Sequence, residues 1–287
     1  CPMLSHGYIA TNNTTICPTE KFVLTYVGNS NLIQSNYQWQ SSSDTSNWTN
    51  ISGTLYEVYS SLLSVAAYYR CIVTCGNSAD TTHAIYLQKK PFETCYCTSA
   101  ALDSGIVDIG FIQLGDFKNG IDTLPLNPTS NRKYSDFTTS LPPIPLYFNS
   151  KEFILIRPAF TVDTVINCKA TVAIDFNHDG FFSSYGYETI EVDNFQLRYP
   201  FSGFATVYTF NALPGITRMR IKLVAGSDID INNPSCDNYL FGETQDYLVN
   251  IVSTTPTCQP LLKGKVIAHQ KYACSNNNRV DIFYYSG

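Results

Sequence analysis

The chain is punctuated every few residues, and this limits its possible folds more than any other feature. Apolar and polar side chains alternate in short runs that stop at turn-forming residues. Phe22-Val23-Leu24-Thr25-Tyr26-Val27 precedes Gly28-Asn29, and Tyr68-Tyr69-Arg70-Cys71-Ile72-Val73 precedes Gly76-Asn77. Alternation of period two ended by Asn, Ser or Gly marks half-buried β-strands. The 20 Tyr and 17 Phe suit such strands, and ten Cys point to an oxidising, extracellular setting rather than the cytosol. With 287 residues, 44% hydrophobic and 14% charged, the chain can bury one or two cores, and two domains are the default. A net charge of −5 with scattered Lys and Arg argues against nucleic acid as a partner. No apolar run is long enough for a membrane helix, and there is neither a signal peptide nor an initiating Met, so the chain reads as a mature or excised piece.

Residues 1–90 form the first expected domain. Cys17 is followed by Trp39 in Tyr37-Gln38-Trp39-Gln40 and then by Cys71, with Tyr69 two positions before it. This order resembles the immunoglobulin-like signature of a cross-sheet disulfide, a strand Trp and a tyrosine corner. A generic disulfide-bonded β-domain with a chance Trp is the plainer alternative. With Cys1-Pro2 and Cys75 added, the region is similar to bacterial immunoglobulin-like repeats with two disulfides. That resemblance implies Cys17–Cys71 and Cys1–Cys75, although four cysteines alone allow three connectivities. A leading Cys could also be the acylated residue of a lipoprotein.

Lys89-Lys90-Pro91 interrupts the pattern, and Cys95-Tyr96-Cys97 opens a second expected domain over residues 91–254. Leu141-Pro142-Pro143-Ile144-Pro145-Leu146 reads as a surface connection, with a partner-binding PxxP segment as the alternative. Asp175-Phe176-Asn177-His178-Asp179-Gly180 places oxygen-bearing side chains at alternate positions before a glycine, as a calcium loop requires. An EF-hand would need Glu at 175 + 11 = 186, which is Gly; Glu188 comes two residues later, and the flanks read as strands. The candidate ligands are Asp175, Asn177, Asp179, the Phe181 carbonyl, Ser183 and Glu188. The plain alternative is a hairpin turn rich in Asp and Asn. His178 reads as a solvated loop residue.

"IDFNHDG" at 174–180, "GITRMRI" at 215–221 and "GETQDYLVNI" at 242–251 occur in one order, and together they resemble the GEVED domain of secreted Bacteroidetes proteins. Thr244 and Gln245 replace the Val and Glu of the motif, while Gly242, Glu243 and Asp246 keep it. Glu243 and Asp246 could complete the cation site, which needs six to eight oxygens. Alternatively they cap a turn or pair with Arg218 and Arg220. Cys95, Cys97, Cys168 and Cys236 form an even set; structural bridges are favoured over a metal or redox pair, with Cys95–Cys168 and Cys97–Cys236 the expected pairings.

The tail repeats the start. Cys258 and Cys274 are 16 residues apart, as are Cys1 and Cys17, and Gly264 and Gly7 each lie six after the first Cys. Residues 255–287 therefore read as the first strands of a second immunoglobulin-like unit, offset by 258 − 1 = 257, with the strand phase slipped by one residue after the second Cys. Cys1 then becomes a framework cysteine rather than a lipidated one. The fold class expected is all-β: an immunoglobulin-like sandwich, a GEVED-like sandwich and the beginning of a further unit.

No nucleophile elbow, His-Glu-x-x-His motif or phosphate loop is present, so no catalytic residue is assigned. Asp80-Thr81-Thr82, Asp122-Thr123-Leu124 and Asp163-Thr164-Val165 resemble Bacteroidetes O-glycosylation sequons, which makes Thr81, Thr123 and Thr164 candidate sites. The leading expectation is a non-catalytic structural or adhesive repeat of a large secreted cell-surface or filament-forming protein. It would hold calcium, partner neighbouring repeats or copies of itself, with surface glycans or proteins as further partners, and follow the type IX route that the resemblance implies. The alternative is a carbohydrate- or protein-binding module of a secreted exoenzyme.

Overall fold

The computed structural model describes residues 7–28, 35–103, 107–120, 132–160, 168–184, 187–192, 202–225 and 235–253, and the backbone of two short strands near the C-terminus. The first part runs β1 (Tyr8–Ala10), β2 (Thr15–Ile16), β3 (Lys21–Val27), β4 (Asn36–Ser42), β5 (Thr49–Asn50), β6 (Val58–Leu62), β7 (Ala67–Cys75), β8 (Ser78–Thr81) and β9 (Ile85–Lys89). Next come β10 (Ala101–Asp103), β11 (Val107–Leu114), β12 (Phe117–Gly120), β13 (Tyr134–Asp136), β14 (Ile144–Tyr147), β15 (Lys151–Phe160), β16 (Cys168–Ile174), β17 (Thr189–Val192), β18 (Gly203–Tyr208), β19 (Gly215–Ala225) and β20 (Tyr239–Val252). The last two are β21 (Lys265–Ala268) and β22 (Ile282–Tyr285). Among the described residues there is no α-helix, and a single 3₁₀ turn spans Phe92–Thr94.

Two cores organise the chain up to Val252. In the first, the sheet β1-β3-β6 faces the sheet β2-β9-β7-β4-β5. Alternation along β3 buries Phe22, Leu24 and Tyr26, which meet Trp39, Tyr69, Cys71 and Leu87 from the opposite sheet. Trp39 is fully buried, yet its indole N–H donates to the Tyr56 carbonyl at 3.0 Å, so the ring is enclosed without an orphaned donor. In the second, β10-β20-β19-β16-β17 packs on β12-β11-β15-β18. Ile112, Leu114, Ile154 and Ile156 from one sheet pack with Val172, Ile221, Leu223 and Val249 from the other. β20 is the hub: it pairs antiparallel with β19 and parallel with β10, β13 and β14. The Pro-rich run is partly a strand, since β14 lies along β20 with Ile144 and Leu146 buried. Pro145 costs it one ladder donor, which its place outside the main path of the sheet tolerates.

Two expected disulfides are corrected. Cys17 bonds Cys95 with a Cα–Cα distance of 5.8 Å, leaving Cys71 a buried free thiol pushed up to about 12 by burial. The reason is topological. β2 leaves the sheet that β1 starts and pairs parallel with β9, Ile16 opposite Lys89, so Cys17 lies beside the exit of the first domain. The inward places on β3 that a cross-sheet cysteine would take hold Phe22 and Leu24. With Cys95 committed, Cys95–Cys168 is also excluded, and Cys168 keeps a buried thiol. Cys97 bonds Cys236. Cys75 is disulfide-bonded; Cys1, Cys258 and Cys274 lie outside the described residues.

β21 and β22 belong to a separate compact unit, Ser253–Gly287. They pair antiparallel with Lys265 opposite Tyr285, while β1 and β3 pair with Tyr8 opposite Val27. Subtracting the offset of 257 puts Lys265 at position 8 and Tyr285 at position 28, so the two ladders differ by one residue of register.

A non-reducing peptide map should recover Cys17 linked to Cys95 and Cys97 linked to Cys236, with Cys71 alkylated only after unfolding. A Cys17–Cys71 peptide would contradict this arrangement.

Candidate functional site

The outer face of the β20-β19-β16 sheet carries charges that a sandwich normally keeps in water. Arg218, Arg220 and Lys222 alternate onto it from β19, with Asp246 and Thr244 from β20. Arg220 and Asp246 are 2% and 0% exposed. They form a two-point pair, Nε to Oδ1 at 2.7 Å and Nη2 to Oδ2 at 2.8 Å, and the Tyr134 hydroxyl donates to Oδ2 at 2.9 Å. Nη1 donates to the Cys97 carbonyl at 2.8 Å and the Ser235 carbonyl at 3.1 Å. Lys222 Nζ donates to the Cys236 carbonyl at 2.9 Å. The two segments that supply these acceptors are joined by Cys97–Cys236.

Residues 92–97 therefore lie across this face and reach the acidic loop. Tyr96 hydroxyl donates to Asp175 Oδ2 at 2.8 Å, its ring stacks on Phe182 at 5.1 Å, and the Arg218 guanidinium lies over it at 4.5 Å. Phe92 stacks on His178 with centroids 5.0 Å apart. His178 is thus not a solvated loop residue: its φ is 57°, and its Nε2 is buried without a hydrogen-bond partner among the described residues. Gly180 is required twice. It takes a φ of 79°, and a Cβ there would sit 2.6 Å from both Cys95 Cβ and the Phe92 carbonyl oxygen. The Cys17–Cys95 bond ties this same segment back to the first domain.

Within the loop, Asp175 is fully buried and accepts the amides of Asp179 at 3.1 Å and Gly180 at 2.9 Å. Asn177 Oδ1 accepts the Asp179 amide, and Asp179 Oδ1 accepts that of Phe181. Glu188 enters from the start of β17 and accepts the amides of Phe176, Asn177 and Ser183 at 3.0–3.3 Å. Burial raises the Glu188 carboxyl above its usual range, with Asp175 and Asp179 adding to the effect and the amides opposing it. Asp179 is also raised, chiefly by burial. The donor set is of the kind a hard cation takes: three carboxylates and an amide oxygen on one loop. In this conformation the oxygens face backbone N–H groups, and among the described residues no three His, Cys, Asp or Glu are grouped to hold a metal.

The structure does not bring Glu243 and Asp246 to this loop. β19 lies between β16 and β20, so both carboxylates are offset from β16 by two strand spacings, roughly 10 Å sideways, and Glu243 is further displaced along the strand, opposite Leu223. Asp246 belongs to Arg220. Glu243, three residues earlier and on the opposite face, accepts the Ile109 amide at 2.9 Å, the Ser135 hydroxyl at 2.6 Å and the Gln245 side-chain amide at 3.1 Å. The Gly-Glu-Thr-Gln-Asp run thus fastens one strand on both sides. Gly242 allows this, because a Cβ there would meet the Leu223 carbonyl oxygen and its φ is 137°. Sequence reasoning missed the carboxyl next to Glu243: Asp108 is 4% exposed and its oxygens have no hydrogen-bond partner among the described residues. Burial, then Glu243, push it up to about 7, against a smaller pull from Arg132. A lone Asp in an apolar strand run was the available signal. Thr81 is exposed on β8, and Thr123 and Thr164 lie outside the described residues.

Comparison with known families places two patterns on the chain. That of the GEVED domain matches residues 169–250, and that of the Domain of unknown function (DUF8696) matches residues 5–88. The GEVED match begins in β16, while β10–β15 complete the same sandwich. No curated protein matches. Among solved structures, the three N-terminal domains of the bacteriophage RB49 highly immunogenic outer capsid protein (Hoc) are 10% identical with a TM-score of 0.24, covering 86% of this chain and 59% of that one. Red sea bream transglutaminase is 6% identical with a TM-score of 0.24, covering 87% and 32%. The chain spans less than two thirds of either, and TM-scores this low carry no argument.

Asp108 has a folded-state value above the ordinary carboxylate range, so its stabilising contribution is full at acid pH and is lost as the pH rises through about 7. Asp108→Asn should melt close to wild type near about pH 4 and higher than wild type near about pH 8. Equal melting temperatures at the higher pH would contradict the assignment. Asp246→Ala, which strands a buried guanidinium, should cost about 3–5 kcal/mol in denaturant unfolding.

Proposed function

We propose that this chain is a structural, adhesive unit of a large secreted polypeptide at a cell surface or in a filament, kept rigid by disulfides and by calcium at the 175–188 loop. The observation that carries this reading is the clamp of residues 92–97. One disulfide fastens it to the first domain, another fastens it to the Ser235–Asn238 segment, and its Phe92 and Tyr96 lie on the loop. Asp175, Asp179 and Glu188 accept backbone amides, and Asp246 neutralises a buried guanidinium. Such an arrangement fixes geometry. Disulfides of this kind persist in oxidising compartments, and among the described residues no helix is long and apolar enough to cross a membrane. Secretion by the type IX route and neighbouring repeats or copies as partners follow from the GEVED likeness and from the repeated cysteine spacing. O-glycans at Thr81, Thr123 and Thr164 belong to the same reading.

Calcium would be held by Asp175, Asn177, Asp179, the Phe181 carbonyl, Ser183 and Glu188, and its charge would offset the burial cost and the lesser repulsion from Asp175 and Asp179 that raise Glu188. The chain's part is to keep three carboxylates together through backbone amides, Tyr96 and the clamp. Saturating calcium at 100 times Kd adds about 2.7 kcal/mol, or roughly 5–10 °C at this chain length. Scanning calorimetry in EDTA and in millimolar calcium should show that rise for the wild type and none for Glu188→Gln. No rise in the wild type would overturn the calcium reading.

A further inference from the structure

A second surface lies on the other sheet of the second sandwich, away from the clamp. Alternation along β15 sends Ile154 and Ile156 into the core and Lys151, Phe153, Leu155 and Arg157 outward. Registers fix their neighbours: Lys151 lies opposite Tyr208, Phe153 opposite Thr206, and Leu155 opposite Phe204 on β18. Large aromatic rings are therefore left in water. Phe153 is 59% exposed, and Phe204, Tyr208 and Phe210 are 39–40% exposed. They form two pairs, Phe153 with Phe204 and Tyr208 with Phe210, each with centroids 5.8 Å apart. Isolated exposed rings are ordinary, but a continuous strip on one sheet face is an interaction surface.

The charges on the strip have one sign. Lys151 Nζ lies 5.5 Å from the Tyr208 ring, and the exposed Lys118 projects from β12 on the same side. The carboxylates nearest in register do not reach this surface. Glu152 alternates to the other side beside Asp116, and Asp108 is buried. The charges beside the exposed rings are thus Lys118 and Lys151, on a protein whose net charge is −5.

We infer that this face binds an anionic polysaccharide containing uronic acid residues. A pyranose has an apolar C–H face that lies against an exposed aromatic ring, and its carboxylate can reach a flanking lysine. Exposed rings on two neighbouring strands offer successive stacking places to an extended chain of such sugars. A protein partner would need about 800 Å² of matched surface and pockets for its anchors. Single-stranded nucleic acid also stacks on aromatic rings, but it follows a continuous basic groove, which a few cations on an acidic protein do not make. The inference does not depend on calcium or on the adhesive reading above.

The test is affinity gel electrophoresis of the whole chain in EDTA, with hyaluronan or polygalacturonate cast in the gel, dextran as the neutral control and oligothymidylate as the competing polyanion. The wild type should be retarded by the polyuronates and not by dextran, and less so as salt rises. Phe153→Ala with Phe204→Ala, and separately Lys118→Glu with Lys151→Glu, should each weaken retardation about tenfold or more while leaving thermal melting unchanged, since these side chains are exposed. Absence of retardation, equal retardation by dextran, persistence in both double variants, or tighter binding of oligothymidylate through the same residues would overturn the inference.

Discussion

A guanidinium taken out of water must find acceptors for its N–H groups, and Arg220 sets that requirement at the centre of the second domain. Asp246 accepts from Nε and Nη2, and the carbonyls of Cys97 and Ser235 accept from Nη1. Those carbonyls belong to irregular segments that have no ladder of their own to follow. The pair therefore does more than neutralise itself: it specifies where two covering segments must lie, and Cys97–Cys236 fixes them to each other. Once residues 95–97 are placed, Tyr96 falls against Asp175, and Gly180 becomes the one residue that fits beneath Cys95.

This chain of dependence accounts for the disposition of the acidic loop. Its carboxylates are gathered by backbone amides from inside and by the Tyr96 hydroxyl from the clamp, so several like charges remain close without an ion pair to a cation among the described residues. Burial, and to a lesser degree that grouping, raises the Glu188 and Asp179 carboxyls. The proposed cation would relieve this loop, whereas burial and Glu243 keep a proton on Asp108 up to about pH 7.

Much of the fold was legible because strands announce themselves locally. The runs at 22–27, 68–73, 170–174 and 217–223 became β3, β7, β16 and β19, and Trp39 lies in a core as its place in an alternating run implied. The gathering of Asp175, Asn177, Asp179 and Glu188 at one loop was also readable, since one short segment contains them. What failed was pairing at a distance. Cys17 and Cys71 are placed as a cross-sheet pair in sequence, but β2 switches sheets, and nothing in Thr15-Ile16 signals that switch. Glu243 and Asp246 looked like extra ligands because acidic side chains three apart are easily grouped on paper. On an extended strand the same spacing sends them to opposite faces, one to Ile109 and Ser135, the other to Arg220.

The account stands on the claim that the Arg220–Asp246 pair, the 92–97 clamp and the acidic loop open as one unit. Hydrogen exchange resolved to single amides, comparing wild type with Asp246→Asn, tests it most directly. The amides of Cys95, Gly180, Phe181 and Ser183 should lose protection together in the variant, while those of β3 and β7 keep theirs. If the loop amides retain wild-type protection after the pair is broken, the clamp does not depend on it and the account fails.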